Sequence, residues 1–392
     1  MVDDSSPDTA AVIAGDSNKQ LSLPPEIVNR GLELAAQIER QPGVPQYQNP
    51  IRYFPGTHAP SLIDFSKSGE IAAIIRAPDA NPELTIWNVT AGNISVLSSQ
   101  EHGLTNLGYM GGGQVWSMAL SDDGDMALVG YDDEDILCWD IRNHQILSRH
   151  VGGIFQEPAS FIKFLPDNQW YVAYNGYNIN LFDTKSGKFV RHISTALCVD
   201  SLAFSDDGNK LLAGGDFYNN VSMEFLDIHG KHEPVLFKNA LNIRAVATFP
   251  GAQRLLSVDK DGLITLWNST NGEEISHWSH AKLPAKVSDT IPEEEFIYFP
   301  LVTNDPHTSP YANYQRRVLE SRYRSVAVSP DGERILSGGG DKYMRLWTSD
   351  GHEVLEYPHH THLVKVAFLP DGQHALSGCR DGSVYLWELP SH

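Results

Sequence analysis

The chain has 392 residues, 41% of them hydrophobic and 20% charged, which is enough apolar material for a sizeable core and too much for a disordered chain. Lys and Arg total 29 against 49 Asp and Glu, a net charge of -20 that repels a phosphate backbone or an anionic membrane, so neither nucleic acid nor membrane is an expected partner. Cys138, Cys198 and Cys379 form no CxxC or zinc spacing and no run of 18 apolar residues occurs, so a cytoplasmic protein without metal or other cofactor is expected.

Residues 1–22 carry Asp3, Asp4, Asp8 and Asp16 among small polar residues and read as a disordered acidic leader. Residues 23–48 read as an amphipathic helix and linker. Pro25 stands in the first turn, Ile27, Leu34 and Ile38 share one face, and Gln41-Pro42-Gly43 stops the helix near residue 40. Residues 49–392 read as one repeat domain.

The repeat is plainest at the end of the chain, where Leu363 to Leu389 aligns without a gap on Arg324 to Ser349. In both copies a turn glycine, Gly332 or Gly372, lies 15 residues before a tryptophan, Trp347 or Trp387, and an aspartate, Asp341 or Asp381, lies six before it. In chain order the tryptophan slot is filled by Trp87, Trp139, Phe182, Leu226, Trp267, Trp347 and Trp387, which makes seven copies. Short alternating apolar runs such as Val364-Val366-Phe368, divided by Pro-Asp-Gly or Asp-Gly turns, give four strands per copy. So small a sheet cannot cover both its faces, and seven of them pack face to face into a ring. The fold class expected is all-β, a seven-bladed propeller with a short N-terminal helix and a long insertion between blades.

The last copy stops three residues from the end of the sequence, without a fourth strand. Tyr53 to Phe65 aligns on Glu356 to Phe368, so Ile51 to Phe54 should supply that strand and close the ring. Extra residues fall at Ser98 to Gln114 and at about 279–322, with smaller surpluses at Ala77 to Glu83 and Gly215 to Asn220. The long stretch holds Pro284, Pro292, Pro300, Pro306 and Pro310 and no slot tryptophan, so it reads as an insertion rather than an eighth blade. All four surpluses join strand ends on the same face of a propeller.

His359, the apolar strand ending in Leu369-Pro370-Asp371-Gly372, then Ser377-Gly378, Asp381 and Trp387 together resemble the WD-repeat (WD40) β-propeller family. The resemblance runs from about Tyr53 to Leu389, although only Trp139-Asp140 keeps the literal Trp-Asp pair. It implies an interaction scaffold rather than an enzyme, and it implies that His359, Ser377, Asp381 and Trp387 form a structural tetrad. A hydrolase triad from the same residues is disfavoured: there is no Gly-x-Ser-x-Gly elbow, and Ser337, Asp341 and Trp347 repeat the pattern with Leu319 in the histidine place. The His cluster at Pro358 to His362 and the acids Asp132 to Asp135 lack metal-site spacing.

The candidate partner-binding residues are Phe296, Tyr298, Tyr311, Tyr314, Arg316 and Arg317, since aromatic and arginine side chains dominate interface energetics. The expected function is a non-catalytic platform for a protein or peptide partner on the loop-elaborated face. The alternative is a small-ligand-binding or catalytic propeller using the central channel pocket.

Overall fold

Strands this short, alternating in hydropathy and separated by glycine turns, can only form hairpins, and the sequential hairpins form sheets of four. The computed structural model describes residues 21–22, 50–55, 61–76, 83–98, 115–131, 135–151, 159–175, 178–217, 222–237, 240, 242–279 and 325–391. Most of the leader, the expected helix at 25–40 and insertion residues 280–324 lie outside them.

The described residues form seven antiparallel sheets, the number expected from the repeat. Two early strands, β1 (Leu21–Ser22) and β2 (Arg52–Phe54), precede blade 1, which is β3 (Ser61–Phe65), β4 (Ile71–Arg76), β5 (Glu83–Asn88) and β6 (Asn93–Ser98). Blade 2 is β7 (Val115–Leu120), β8 (Met126–Tyr131), β9 (Ile136–Asp140) and β10 (Gln145–His150). Blade 3 is β11 (Phe161–Phe164), β12 (Trp170–Tyr174), β13 (Ile179–Asp183) and β14 (Phe189–Ile193). Blade 4 is β15 (Leu197–Phe204), β16 (Lys210–Phe217), β17 (Met223–Asp227) and β18 (Val235–Leu236). Blade 5 is β19 (Ile243–Thr248), β20 (Arg254–Asp259), β21 (Ile264–Asn268) and β22 (Glu274–Trp278). Blade 6 is β23 (Ser325–Val328), β24 (Arg334–Gly338), β25 (Tyr343–Thr348) and β26 (Glu353–Pro358). Blade 7 is β27 (Leu363–Phe368), β28 (His374–Cys379) and β29 (Val384–Glu388), with β2 as its outer strand.

Each slot residue sits on the third strand of its blade and is buried between neighbouring sheets. The turn between first and second strands needs a left-handed residue, and Gly332 (φ 75°) and Gly372 (φ 65°) supply it. Inner strands would leave a row of backbone groups unpaired towards the ring centre. Side chains from adjacent blades answer several of them: Ser117 Oγ donates to Ala159 O at 2.6 Å, Thr248 Oγ1 to Phe204 O at 2.7 Å, and Ser325 Oγ accepts from Val366 N at 3.0 Å.

Blades 7 and 1 meet at the seam. β2 runs antiparallel to β29 with Arg52 opposite Leu386 and Phe54 opposite Val384. Phe54 and Trp87 bring their rings to 5.5 Å, inside a buried cluster that includes Ile63, Phe65, Leu376 and Leu386. The Arg52 guanidinium donates to Val89 O at 2.6 Å and also reaches Thr90 O, which ties the outer strand of one blade to the turn of the next.

Candidate interaction face

Strand direction alternates outward through each blade, so the second-to-third turns and the connections between blades emerge at one end of the ring. The opposite end carries the five-residue first-to-second turns, such as 329–333 and 369–373. The elaborated end holds connections 99–114, 151–160 and 279–324. Asx-type caps tighten the regular turns: Asp331 Oδ1 accepts from Glu333 N at 2.9 Å and Asp371 Oδ1 from Gln373 N at 2.8 Å.

Three of the four residues expected to form a tetrad in blade 7 join in one chain of hydrogen bonds. Trp387 Nε1–H donates to Ser377 Oγ at 2.8 Å, and Ser377 Oγ lies 2.7 Å from His359 Nε2. His359 Nδ1 lies 2.9 Å from Tyr357 O. A carbonyl cannot donate, so Nδ1 carries the proton, Nε2 accepts from Ser377, and the ring is neutral. Burial holds the His359 imidazole well below its usual range, at about 3. Asp381 takes another partner: its Oδ2 lies 2.6 Å from His360 Nε2, and its Oδ1 accepts from Ser383 Oγ at 2.7 Å. His360 Nδ1 in turn lies 2.6 Å from the Tyr385 hydroxyl. Burial pushes the Asp381 carboxyl up, but the His360 and Ser383 hydrogen bonds outweigh it and leave a net lowering.

The histidine pair therefore divides the work. His359 points inward to the serine and indole, and half-exposed His360 links the turn aspartate to Tyr385. The alternation of adjacent side chains in an extended segment is the sequence signal for this division. Ser377 is fully buried, and its oxygen is held between indole and imidazole, so no substrate carbonyl can reach it.

Blade 6 solves the same corner with an arginine. Trp347 Nε1–H donates to Ser337 Oγ at 2.9 Å, while the buried Arg345 guanidinium bonds Asp341 and also Glu356 Oε1 at 2.8 Å. Burial raises the Asp341 carboxyl despite this partner. In blade 5, Trp267 Nε1–H donates to Ser257 Oγ at 2.8 Å, while Asp261 turns to Lys260 at the surface. Further charged groups stand on the same end. Arg149 pairs with buried Asp135, and Arg244 joins Asp200 and Asp216. Buried Glu224 accepts from Thr195 Oγ1 at 2.8 Å, and burial raises its carboxyl.

Sequence reading missed the charges of the inner strands. Asp64 Oδ2 accepts from Leu120 N at 2.9 Å while Oδ1 pairs with Lys365 Nζ at 2.9 Å, so one carboxylate links blades 7, 1 and 2. Lys163 Nζ donates to Leu202 O at 3.2 Å, and burial lowers this amine to about 8. A single charged residue interrupting an apolar inner strand, as in Phe161–Phe164, was the available signal.

Phe296, Tyr298, Tyr311, Tyr314, Arg316 and Arg317 lie outside the described residues, as does Asp133. Among the described residues, no group of three His, Cys, Asp or Glu side chains is arranged to hold a metal, and no helix is long and apolar enough to cross a membrane.

The family model described as "WD domain, G-beta repeat" matches residues 105–140, 316–348 and 351–388. The chain is similar to the U5 small nuclear ribonucleoprotein 40 kDa protein of Dictyostelium discoideum, 23% identical over 61% of this chain and 70% of that protein. It is also similar to anaphase-promoting complex subunit cdc20 of the same organism, 23% identical over 73% of this chain, and the match spans only 56% of that relative's length. Eukaryotic translation initiation factor 3 subunit I of Emericella nidulans is 20% identical over 59% of this chain and 73% of its own. Among solved structures, a chain from the crystal structure of a mitotic checkpoint complex superimposes with a TM-score of 0.64 at 18% identity, covering 98% of this chain and all of that one.

Proposed function

The chain is a WD-repeat β-propeller, and from that premise we propose that it is a non-catalytic platform docking a protein or peptide partner on its loop-elaborated face. The observation that carries this reading is the asymmetry of the two ends: long connections between blades at one, capped five-residue turns at the other. Elaborated loops on a rigid scaffold are where recognition concentrates, and a stiff ring limits the entropy lost on docking. Two relatives, cdc20 and initiation factor 3 subunit I, are named as subunits, which accords with a platform. We assign the grip to Phe296, Tyr298, Tyr311, Tyr314, Arg316 and Arg317 of the insertion, and a negatively charged chain disfavours nucleic acid as the partner.

The absence of a free nucleophile at Ser377 supports the non-catalytic reading, and so does the recurrence of the Ser–Trp bond in three blades.

Affinity capture with the intact chain, with a variant lacking Lys282 to Glu320, and with Asp331→Ala on the opposite end tests the assignment. A stoichiometric partner lost only on the deletion is expected. Equal retention by all three folded forms would overturn the face, and retention by none would overturn the platform.

A further inference from the structure

The outer edges of the blades differ in a way the repeat does not announce. In β10, β14, β22 and β26 the pairing skips one residue just beyond the partner of the slot residue: Leu147, Val190, Ile275 and Val354. Each skipped residue is an exposed aliphatic side chain. A bulge of this kind bends the strand and breaks the row of outward backbone groups, which blocks the addition of another strand. The outer strands β18 and β2 are only two and three residues long.

β6 is the exception. It pairs with β5 from Glu83↔Ser98 to Trp87↔Ile94 without a shift, so its outward edge stays regular. That edge is also the one to which a fifth strand is added, with Leu21 opposite Ile94 and Ser22 opposite Asn93. The regular edge and the added strand are separate observations, and they coincide on one blade of seven.

We propose that the outer edge of blade 1 is a strand-accepting docking site, and that the chain's own Leu21–Ser22 is its resident occupant. Recognition is by main-chain hydrogen bonds, the mode of β-strand addition. Pro24 and Pro25 follow after one residue, Leu23, and cannot donate to a ladder, which limits the added strand on that side. A ladder of two residue pairs is short enough to open and close without unfolding the ring.

The test uses the full chain and hydrogen exchange read by mass spectrometry. Leu21→Pro combined with Ser22→Pro removes both backbone donors of the added strand. Exchange across β6 should then quicken about fivefold, the loss expected for one or two modest hydrogen bonds. Exchange across β10, β14, β22 and β26 should not change, which also reports an intact ring. A synthetic peptide of residues 16–23 should restore β6 protection in the variant, and a scrambled peptide should not. Unchanged β6 exchange in the variant would overturn the cis occupant. Faster exchange that the peptide fails to reverse would overturn the docking site.

Discussion

Two places beyond the partner of the slot tryptophan, blades 5, 6 and 7 hold Ser257, Ser337 and Ser377, and each hydroxyl takes an indole N–H. The same position in blades 1 to 4 holds Ile74, Val129, Ala173 and Ala213, all buried among apolar neighbours. Blades 5 and 6 also reach forward to the next blade, Arg254 to Gly332 O at 3.3 Å and Arg334 to Gly372 O. At this position one backbone plan is thus held by a directional buried bond in one part of the ring and by apolar packing in the rest. Buried polar groups demand partners, so the first part tolerates few residue types, whereas the second accepts any side chain of suitable volume. The family model matches blades 6 and 7 but not blade 5. It also matches blade 2, where Trp139-Asp140 survives.

The largest effect is expected where the two parts meet. Phe54 is fully buried against Trp87, and the strand that carries it is the last to be added to blade 7. Phe54→Ala should cost about 3–5 kcal/mol in urea unfolding, the usual range for a buried Phe truncation. A cost below about 1 kcal/mol would mean that the seam is held by Arg52 and the backbone ladder instead.

Within the polar part the comparison can be sharpened by one substitution made twice. Ser377→Val removes the partner of both the Trp387 indole and His359 Nε2, whereas Ser257→Val removes the partner of Trp267. The first should cost about 2–4 kcal/mol and the second about 1–2, since each buried polar group left unmatched costs on the order of 1–3 kcal/mol. Equal costs in urea unfolding would deny that the histidine is part of the unit.

His359 gives blade 7 a pH dependence. Held at about 3 in the folded ring, it stays neutral, while the unfolded chain protonates it below about 6.5. Its contribution is complete above pH 6.5 and lost as the pH falls towards 3, by about 1.4 kcal/mol by pH 5.5. The groups around it are the Tyr357 carbonyl, Ser377, and the rings of Tyr385 and Trp387, with His360 and Asp381 nearby. His359→Gln should flatten that part of the stability profile between pH 7 and 5, and an unchanged slope would show that the buried ring is not its source.

These bonds mark how far the sequence could be read. Seven slot residues, the turn glycines and the missing fourth strand at Leu389 are set by period and alternation, which local physics enforces in every copy. The choice of Asp381 between His359 and His360 is different, because both rings are within reach of one turn and only the packing of Tyr385 and Trp387 decides between them. Arg345 was hidden for the same reason: it occupies a strand position, Arg345 opposite Ser337, where an apolar or small residue satisfies the pattern equally well. The inner-strand charges answer backbone groups of a neighbouring blade, a demand that no single repeat contains.

The smallest effect tests the comparison by its sign. Two residues before the slot tryptophan, blade 1 holds Thr85 and blade 7 holds Tyr385. Thr85 is buried and, among the described residues, its hydroxyl has no hydrogen-bond partner, whereas the Tyr385 hydroxyl lies 2.6 Å from His360 Nδ1. Thr85→Val keeps the shape and removes an unmet polar group, so stability should rise by about 0.5–1 kcal/mol. Tyr385→Phe leaves His360 without that partner and should lower stability by about 1 kcal/mol, less if water reaches the half-exposed ring. Opposite signs in paired thermal unfolding curves are the expected result. A loss from both would mean that blade 1, too, depends on a polar contact at this position, and the division of the ring into two chemistries would fail at its apolar end.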